Sequence, residues 1–275
     1  MDFLEKFDIK PKEVLGTGEV VFTDGTNDLF ANQPLCEAYG YTYNVATGTC
    51  QAFKFNTIVE NKFNNINNNT SGGKTENGTK HTILNGQENV TKGNNTNNIL
   101  NGEKHQIENT IKNSNVLAGS FGNVKNQSEI VIGGGGFGTT LGLAQTSFVQ
   151  QSGLTTDATQ TNLFTQYLTN KFIEKVANAV IGFEANVIGV NYGGEGEVGQ
   201  YIYLQLRGAV AIGNGFATTY TQSSTTIANG GLSATATMKD ATATSFGVAV
   251  TGVEETRIQW TADVKLWQNK ITQIF

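Results

Sequence analysis

Proline is almost missing from this chain: 2 in 275 residues, against 33 glycines. Charge is scarce too, at 15% Asp, Glu, Lys and Arg, where a globular chain usually carries about a quarter. Together these suit a β-rich, turn-rich structural protein. The net charge of −5 argues against a nucleic-acid partner, which would need a basic face. No apolar run is long enough to cross a bilayer. The opening Met1-Asp2-Phe3-Leu4-Glu5-Lys6 lacks the basic region and apolar core of a secretory signal, so synthesis in a cytoplasm without export by that route is expected.

Histidine and cysteine are equally rare. His81 and His105 both fall in an Asn-rich middle with no Ser/Asp grouping around them, which excludes a nucleophilic triad. Cys36 and Cys50 are too few for zinc and have no His nearby. No metal and no cofactor is expected. The two cysteines, 14 residues apart, would face each other across a β-hairpin. A disulfide and two buried thiols both fit that placement, and a reducing compartment favours the thiols.

What the chain does have is a repeat. Thr82-Ile83-Leu84-Asn85-Gly86 returns as Asn98-Ile99-Leu100-Asn101-Gly102, then as Asn115-Val116-Leu117-Ala118-Gly119 and Ile130-Val131-Ile132-Gly133, the glycines stepping by 16, 17 and 14. Between them run weaker beats at Val90, Ile107 and Val124. Two apolar beats per fixed period predict a solenoid whose every turn gives two short strands. The 19 Asn of residues 61–130 suit its corners, because Asn tolerates left-handed backbone and can stack in ladders. A disordered polar linker shares the composition but has no reason to keep the phrase in register. The few apolar side chains of one coil cannot offset the ordering of that coil. Neighbouring copies are therefore expected to complete the seam, as a parallel homotrimer.

These paired beats resemble the head of trimeric autotransporter adhesins, a trimeric left-handed β-roll, with Asn115-Val116-Leu117-Ala118-Gly119 the nearest match. The Cys36-Glu37-Ala38-Tyr39-Gly40-Tyr41…Cys50 segment is similar to the N-terminal part of fibre-type virion proteins of phages that infect Bacteroidetes, crAss-like phages included. Thr256-Arg257-Ile258-Gln259-Trp260-Thr261-Ala262-Asp263-Val264 is similar to the closing strands of phage fibre tips. The resemblance implies attachment to a virion through the first 60 residues.

The chain accordingly divides into an N-terminal attachment domain (1–60), a β-roll shaft (61–133), a Gly-rich collar and helical neck (134–182) and an antiparallel sandwich tip of jelly-roll type (183–275). Residues 1–60 hold an apolar arm (Phe3, Leu4, Phe7, Ile9), a strand at 19–22, and strands at 35–43 and 49–55 paired as a hairpin. The neck helix is predicted from Asp157 as cap and from Leu163, Tyr167, Leu168, Phe172, Ile173, Val176 and Val180 at helical spacing. In the tip, strands are predicted at 185–190, 201–212, 216–227, 232–238, 245–250 and 257–267, the last with strict alternation.

Chemistry is thin. A polysaccharide-cutting site needs two carboxylates held roughly 5–10 Å apart. Glu195 with Glu197, Glu254 with Glu255, and Asp24 with Asp28 are the sequence-adjacent candidates, and each reads better as solvated loop charge. The Asn-X-Ser/Thr matches at Asn68, Asn77, Asn89, Asn94 and Asn126 follow from composition. Host-glycan contact falls to the Thr-rich stretch with Thr218, Tyr220 and Gln222. The sequence thus predicts a mainly β, non-enzymatic homotrimeric fibre on a phage particle, made in the host bacterial cytoplasm. A shaft of four or five coils spans only about 20–25 Å at the strand spacing, which favours a head fibre over a tail fibre. A glycan-degrading tailspike and a purely architectural capsid decoration are the alternatives.

Overall fold

The computed structural model describes residues 9–45, 47–52, 65–70, 74–76, 78–135, 140–165 and 170–271 and divides into two compact units, 1–64 and 65–275. In the first, β1 (Lys10–Val14), β2 (Val20–Thr23) and β3 (Asp28–Leu29) form an antiparallel sheet. Phe22 is buried there with Cys36, Cys50 and Ala52. A strand was predicted over 35–43, but helix α1 (Gln33–Ala38) occupies its start. The reason is local: the Asn32 side chain accepts from Leu35 N at 3.1 Å, and Pro34 sits in the first turn, where its missing N–H costs nothing. β4 (Thr42–Asn44) and β5 (Thr49–Gln51) make the predicted hairpin. The favoured pair of free thiols is corrected: Cys36 and Cys50 are disulfide-bonded, with Cα atoms 5.6 Å apart. α1 turns Cys36 into the core that β5 reaches with Cys50. Phe3, Leu4, Phe7, Phe53 and Phe55 lie outside the described residues.

The second unit begins with the solenoid. Its first coil holds β6 (Ile66–Asn69) and β7 (Lys74–Thr75), the next β8 (Ile83–Gln87) and β9 (Val90–Thr91), the third β10 (Ile99–Glu103) and β11 (Gln106–Ile107), the fourth β12 (Asn115–Ala118) and β13 (Asn123–Val124); β14 (Glu129–Gly133) opens a fifth turn. The repeated phrase stacks in parallel register: Ile83 on Ile99, Leu84 on Leu100, Asn85 on Asn101, Gly86 on Gly102. Leu84, Leu100, Val116 and Val131 are fully buried and meet Ile107 and Val124 from the second sheet.

A third row, unforeseen from sequence, closes each coil. Lys80, Thr96 and Lys112 are bridged in parallel, and the adjacent Thr79, Asn95 and Ile111 are buried. Left-handed residues make the three corners: His81, Asn97, Asn113 and Ser128 at one; Glu88, Lys104 and Phe121 at another; Gly78, Asn94 and Thr110 at the third. The expectation that neighbouring copies complete the apolar seam is therefore corrected, because the seam is buried within a single chain. At the corners the backbone ladder breaks, and buried amides take its place. Asn89 Oδ1 accepts from His105 N at 3.0 Å, Asn95 Oδ1 from Ile111 N at 2.7 Å, and Asn98 Oδ1 from Ser114 N at 2.9 Å. On the surface, Asn68, Asn85 and Asn101 form a ladder with 2.9 Å steps.

His105 takes the next place in the Asn69–Asn89 column. It is buried, and its Nδ1 accepts from Gly122 N at 2.9 Å, so the folded ring is neutral. Burial holds its pKa below the ordinary value, against smaller opposing contributions from nearby carbonyls and Glu103. The unfolded chain takes up a proton near pH 6.5 that the folded chain refuses. Stability is thus full above that pH and falls as the pH drops below it. Glu129, buried with its pKa raised by desolvation, acts in the opposite sense, losing stability as the pH rises above its ordinary value. His105→Asn keeps an amide acceptor for Gly122 N. A thermal melt series from pH 7 to 5 is expected to show a Tm loss of a few degrees in wild type that this variant lacks; identical slopes would contradict the assignment.

The tip continues the first solenoid sheet. Its strands are β15 (Ala144–Thr155), β16 (Gln160–Asn162), β17 (Ile173–Glu174), β18 (Ala179–Gly194), β19 (Tyr201–Ile212), β20 (Thr218–Asn229), β21 (Thr235–Thr242), β22 (Ser245–Thr251) and β23 (Thr256–Lys270). β15 pairs antiparallel with β14, giving one ten-stranded sheet in the order β20-β19-β18-β23-β15-β14-β12-β10-β8-β6. β16, β17 and β21 all pair with β22 in a second sheet. Trp260, Phe183, Leu206, Phe246 and Val248 are buried in the core of the tip. The tip has two sheets, as expected, but the larger is shared with the shaft. β18, β19 and β20 follow one another as neighbours, and β23 crosses back to lie between β15 and β18.

The helix predicted over 157–180 is absent among the described residues. Tyr167 and Leu168 lie outside them, Leu163 N bonds Val248 O at 2.8 Å in extended chain, and Ile173 belongs to β17. Asp157 accepts from Thr159 N at 2.7 Å, closing a turn rather than capping a helix. Asn170 and Asn178 are left-handed and interrupt any helix. From Ala179 on, burial alternates with period two: Ala179, Ile181 and Phe183 in, Val180 out. Of the glycine-rich collar, residues 136–139 are outside the described residues.

Candidate functional site

On the outer face of the large sheet, where shaft meets tip, lies an open groove of about 620 Å³. Its floor is set by register. One cross-strand row reads Ile130, Phe148, Lys265, Glu184, Arg207; the row beside it reads Gln150, Asp263, Asn186, Gln205. These are the outward positions of strands whose inward positions build the core, so the alternation that buries Trp260 also exposes Asp263, Lys265 and Trp267. Phe148 is 37% and Trp267 41% exposed, and the Lys265 ammonium lies 5.5 Å and 4.8 Å from their ring centroids.

Planar polar groups line the groove and continue beyond it onto β19. Gln150 Nε2 donates to Asp263 Oδ1 at 3.2 Å, Gln205 Nε2 to Glu184 Oε1 at 3.0 Å, and Tyr203 OH to Asn186 Oδ1 at 3.0 Å. Arg207 stands 3.5 Å from Glu184. Glu184 pairs with Lys265 and Asn186 with Asp263, so the two carboxylates are diagonal neighbours, roughly 7–8 Å apart at their backbones. Chain order hides this pair; only the β18–β23 pairing creates it. The outward Trp267 at the end of the alternating β23 was the one signal in the sequence.

The residues singled out from sequence sit elsewhere. Thr218, Tyr220 and Gln222 lie on β20 and bond to β21: Thr218 Oγ1 donates to Asp240 Oδ2 at 2.8 Å, Tyr220 OH donates to Asp240 Oδ1, and Gln222 exchanges two 2.8 Å bonds with the Met238 backbone. Desolvation, with the bond to Asp240, pushes the Tyr220 pKa up. For Asp240, burial pushes upward, but hydrogen bonds from Tyr220, Lys175 and Thr218 together hold the carboxyl below its ordinary value. Lys175, whose side chain is 1% exposed, meets Asp240 at 2.9 Å and also donates to Ala243 O and Phe216 O. Asp240→Ala leaves that buried ammonium only its two carbonyl acceptors and is expected to cost about 2 kcal/mol in urea unfolding; a loss under about 1 kcal/mol would contradict the network. Asp240→Asn should lie between.

The sequence-adjacent carboxylates form no groove. Glu195, Glu197, Glu254 and Glu255 are exposed in two loops joined through Glu195 N and Glu255 O at 2.8 Å. Asp24 accepts from Thr26 N and Asn27 N, which hold its pKa down, and Asp28 pairs with Lys12 at 2.6 Å. His81 Nδ1 lies 3.2 Å from Asn97 Oδ1 at a solenoid corner. Among the described residues no cluster of metal-ligating side chains occurs, and no helix is long and apolar enough to cross a membrane.

No family model matches the chain, and no curated protein is detectably similar to it. Among solved structures it is similar to the tailspike protein gp49 of Acinetobacter baumannii bacteriophage Fri1, a capsular polysaccharide depolymerase, at 9% identity and a TM-score of 0.27, over 67% of this chain and 39% of that one. It is also similar to the tailspike of Acinetobacter baumannii phage AM24, at 8% identity and a TM-score of 0.26, over 76% of this chain and 49% of that. A third is the tailspike of Acinetobacter phage vB_ApiP_P1, at 10% and 0.22, over 66% and 45%. The chain thus spans less than half of each. At such scores, what those proteins bind or cut stays their own. The expectation of a non-enzymatic chain is corrected: the structures similar to this chain include a capsular polysaccharide depolymerase.

Proposed function

We propose that the chain is a homotrimeric fibre or spike component of a phage particle that binds polysaccharide on the host surface. The observation that carries this is the unbroken sheet from β6 to β20, which makes shaft and tip one stiff body with a polar, aromatic-bearing face. Support for the virion setting comes from the resemblance of residues 36–50 and 256–264 to phage fibre proteins, and for three copies from the resemblance to trimeric β-rolls. In this reading residues 1–60 dock on other virion proteins, 61–133 form the shaft, 134–182 lead into the tip and 183–275 complete it. The short shaft favours a head fibre over a tail fibre. Three weak tips held together bind as one through effective concentration. Contact through Thr218, Tyr220 and Gln222 is the less favoured placement, because the three already bond Asp240 and Met238. Sedimentation of the purified chain is expected to give a trimer, and native gels cast with bacterial surface polysaccharides are expected to retard it. A monomer that no polysaccharide retards would contradict the proposal.

A second reading, cleavage of that polysaccharide, is favoured by Glu184 and Asp263, two carboxylates that line the groove as diagonal neighbours on β18 and β23. Release of reducing ends by wild type, lost in Glu184→Gln with binding retained, would support it.

A further inference from the structure

Resting on the polysaccharide reading, we propose that the groove edged by Phe148, together with the outward Trp267 that adjoins it across Lys265, is the binding site, and that its ligand is an uncharged, hydroxyl-rich saccharide chain. A sugar ring offers apolar C–H faces and a rim of paired donors and acceptors. The first need aromatic faces at the surface; the second need planar groups that accept and donate side by side. The groove supplies both on a rigid floor. Phe148 and Trp267 stand outward on central strands, with Lys265 between them. Gln150 and Gln205 hold Asp263 Oδ1 and Glu184 Oε1 in place, and among the described residues the second oxygen of each carboxylate meets no donor.

Charge decides the class of ligand. Two anions, Glu184 and Asp263, lie among two cations, Lys265 and Arg207, so the face balances in charge, with Arg207 3.5 Å from Glu184. A charged polymer would meet like charge at each step and gain little; hydroxyls meet a partner at every position. A second shallow depression of about 420 Å³, bordered by His81, Asn97, Asn113 and Asn115, lies on the same sheet, and its Asn115 pairs with Ile130 of the groove. Two depressions in line along one sheet suit a chain rather than a single sugar.

The test is a printed array of neutral and acidic bacterial polysaccharides probed with the full chain, followed by titration of the strongest binder. A neutral polysaccharide is expected, with Trp267→Ala and Phe148→Ala each weakening the interaction about tenfold and Glu197→Ala leaving it unchanged. Both rings are partly exposed, so folding should survive, and melting temperature verifies this. Binding that both variants leave intact would overturn the site but not the proposed function. Silence of wild type across the array would overturn both. Binding of acidic polymers alone would overturn the uncharged ligand. Variants that lose trimerisation rather than glycan affinity would make this face a contact between copies and overturn the proposal.

Discussion

Gly119→Ala is expected to cost up to about 5 kcal/mol and to unravel the junction between shaft and tip. Gly119 has φ +92°, and a methyl group there would lie well inside van der Waals contact of Gly133 O. Left-handed backbone alone costs alanine roughly 1–2 kcal/mol, and forced overpacking adds about 1–3. The clashing atom is backbone, so no rotamer relieves it. β14 must shift, and with it the pairing of Asn115 with Ile130 and of Ile130 with Phe148. Gly135→Ala separates the two contributions. Its φ of +77° carries the strain, but its nearest neighbour would be Ser120 Oγ at 3.9 Å, so only about 1–2 kcal/mol is expected. Thermal melts of both variants check this, and equal losses would contradict the stacked-glycine account.

Trp260→Ala should be nearly as damaging, at about 3–5 kcal/mol and a Tm loss of about 10 °C by the usual scaling. The ring is fully buried at the centre of the tip, and its Nε1 donates to Thr155 Oγ1 at 2.9 Å. Gly189 opposite is glycine because a Cβ there would come within 2.6 Å of the ring. Trp260→Phe, which refills most of the volume, should recover more than half of the loss. A Trp260→Ala variant within about 1 kcal/mol of wild type would mean that the two sheets do not close on this residue.

Period made part of this fold legible in the sequence. Ile-Leu-Asn-Gly recurs because each coil presents the same inward leucine and the same glycine beneath the next backbone, and β23 betrays itself by strict alternation. The third solenoid row stayed hidden because its inward residues, Thr79, Asn95 and Ile111, share no chemistry. β15 was invisible for a different reason. Its buried positions are largely polar, with Gln145, Ser147, Gln151 and Thr155 inside and Phe148 and Leu154 outside. Gln151 shows why that works: it donates to Leu163 O at 3.1 Å and accepts from Val248 N at 2.9 Å, replacing backbone partners between the sheets. The helix reading failed because Leu163, Ile173 and Val176 do enter the core, but from extended chain broken by Asn170 and Asn178. The groove depends on strands distant in sequence, so Glu184 and Asp263 could not be paired before the sheet was known.

Amide hydrogen exchange across β8 to β23 tests the central claim most directly, that one chain closes its own coils and carries the same sheet into the tip. Protection at Leu100, Val116, Val131, Val149 and Val264 is predicted to be high and to be lost together as denaturant is raised. Random-coil exchange through 81–133 with a protected 144–270 would contradict it.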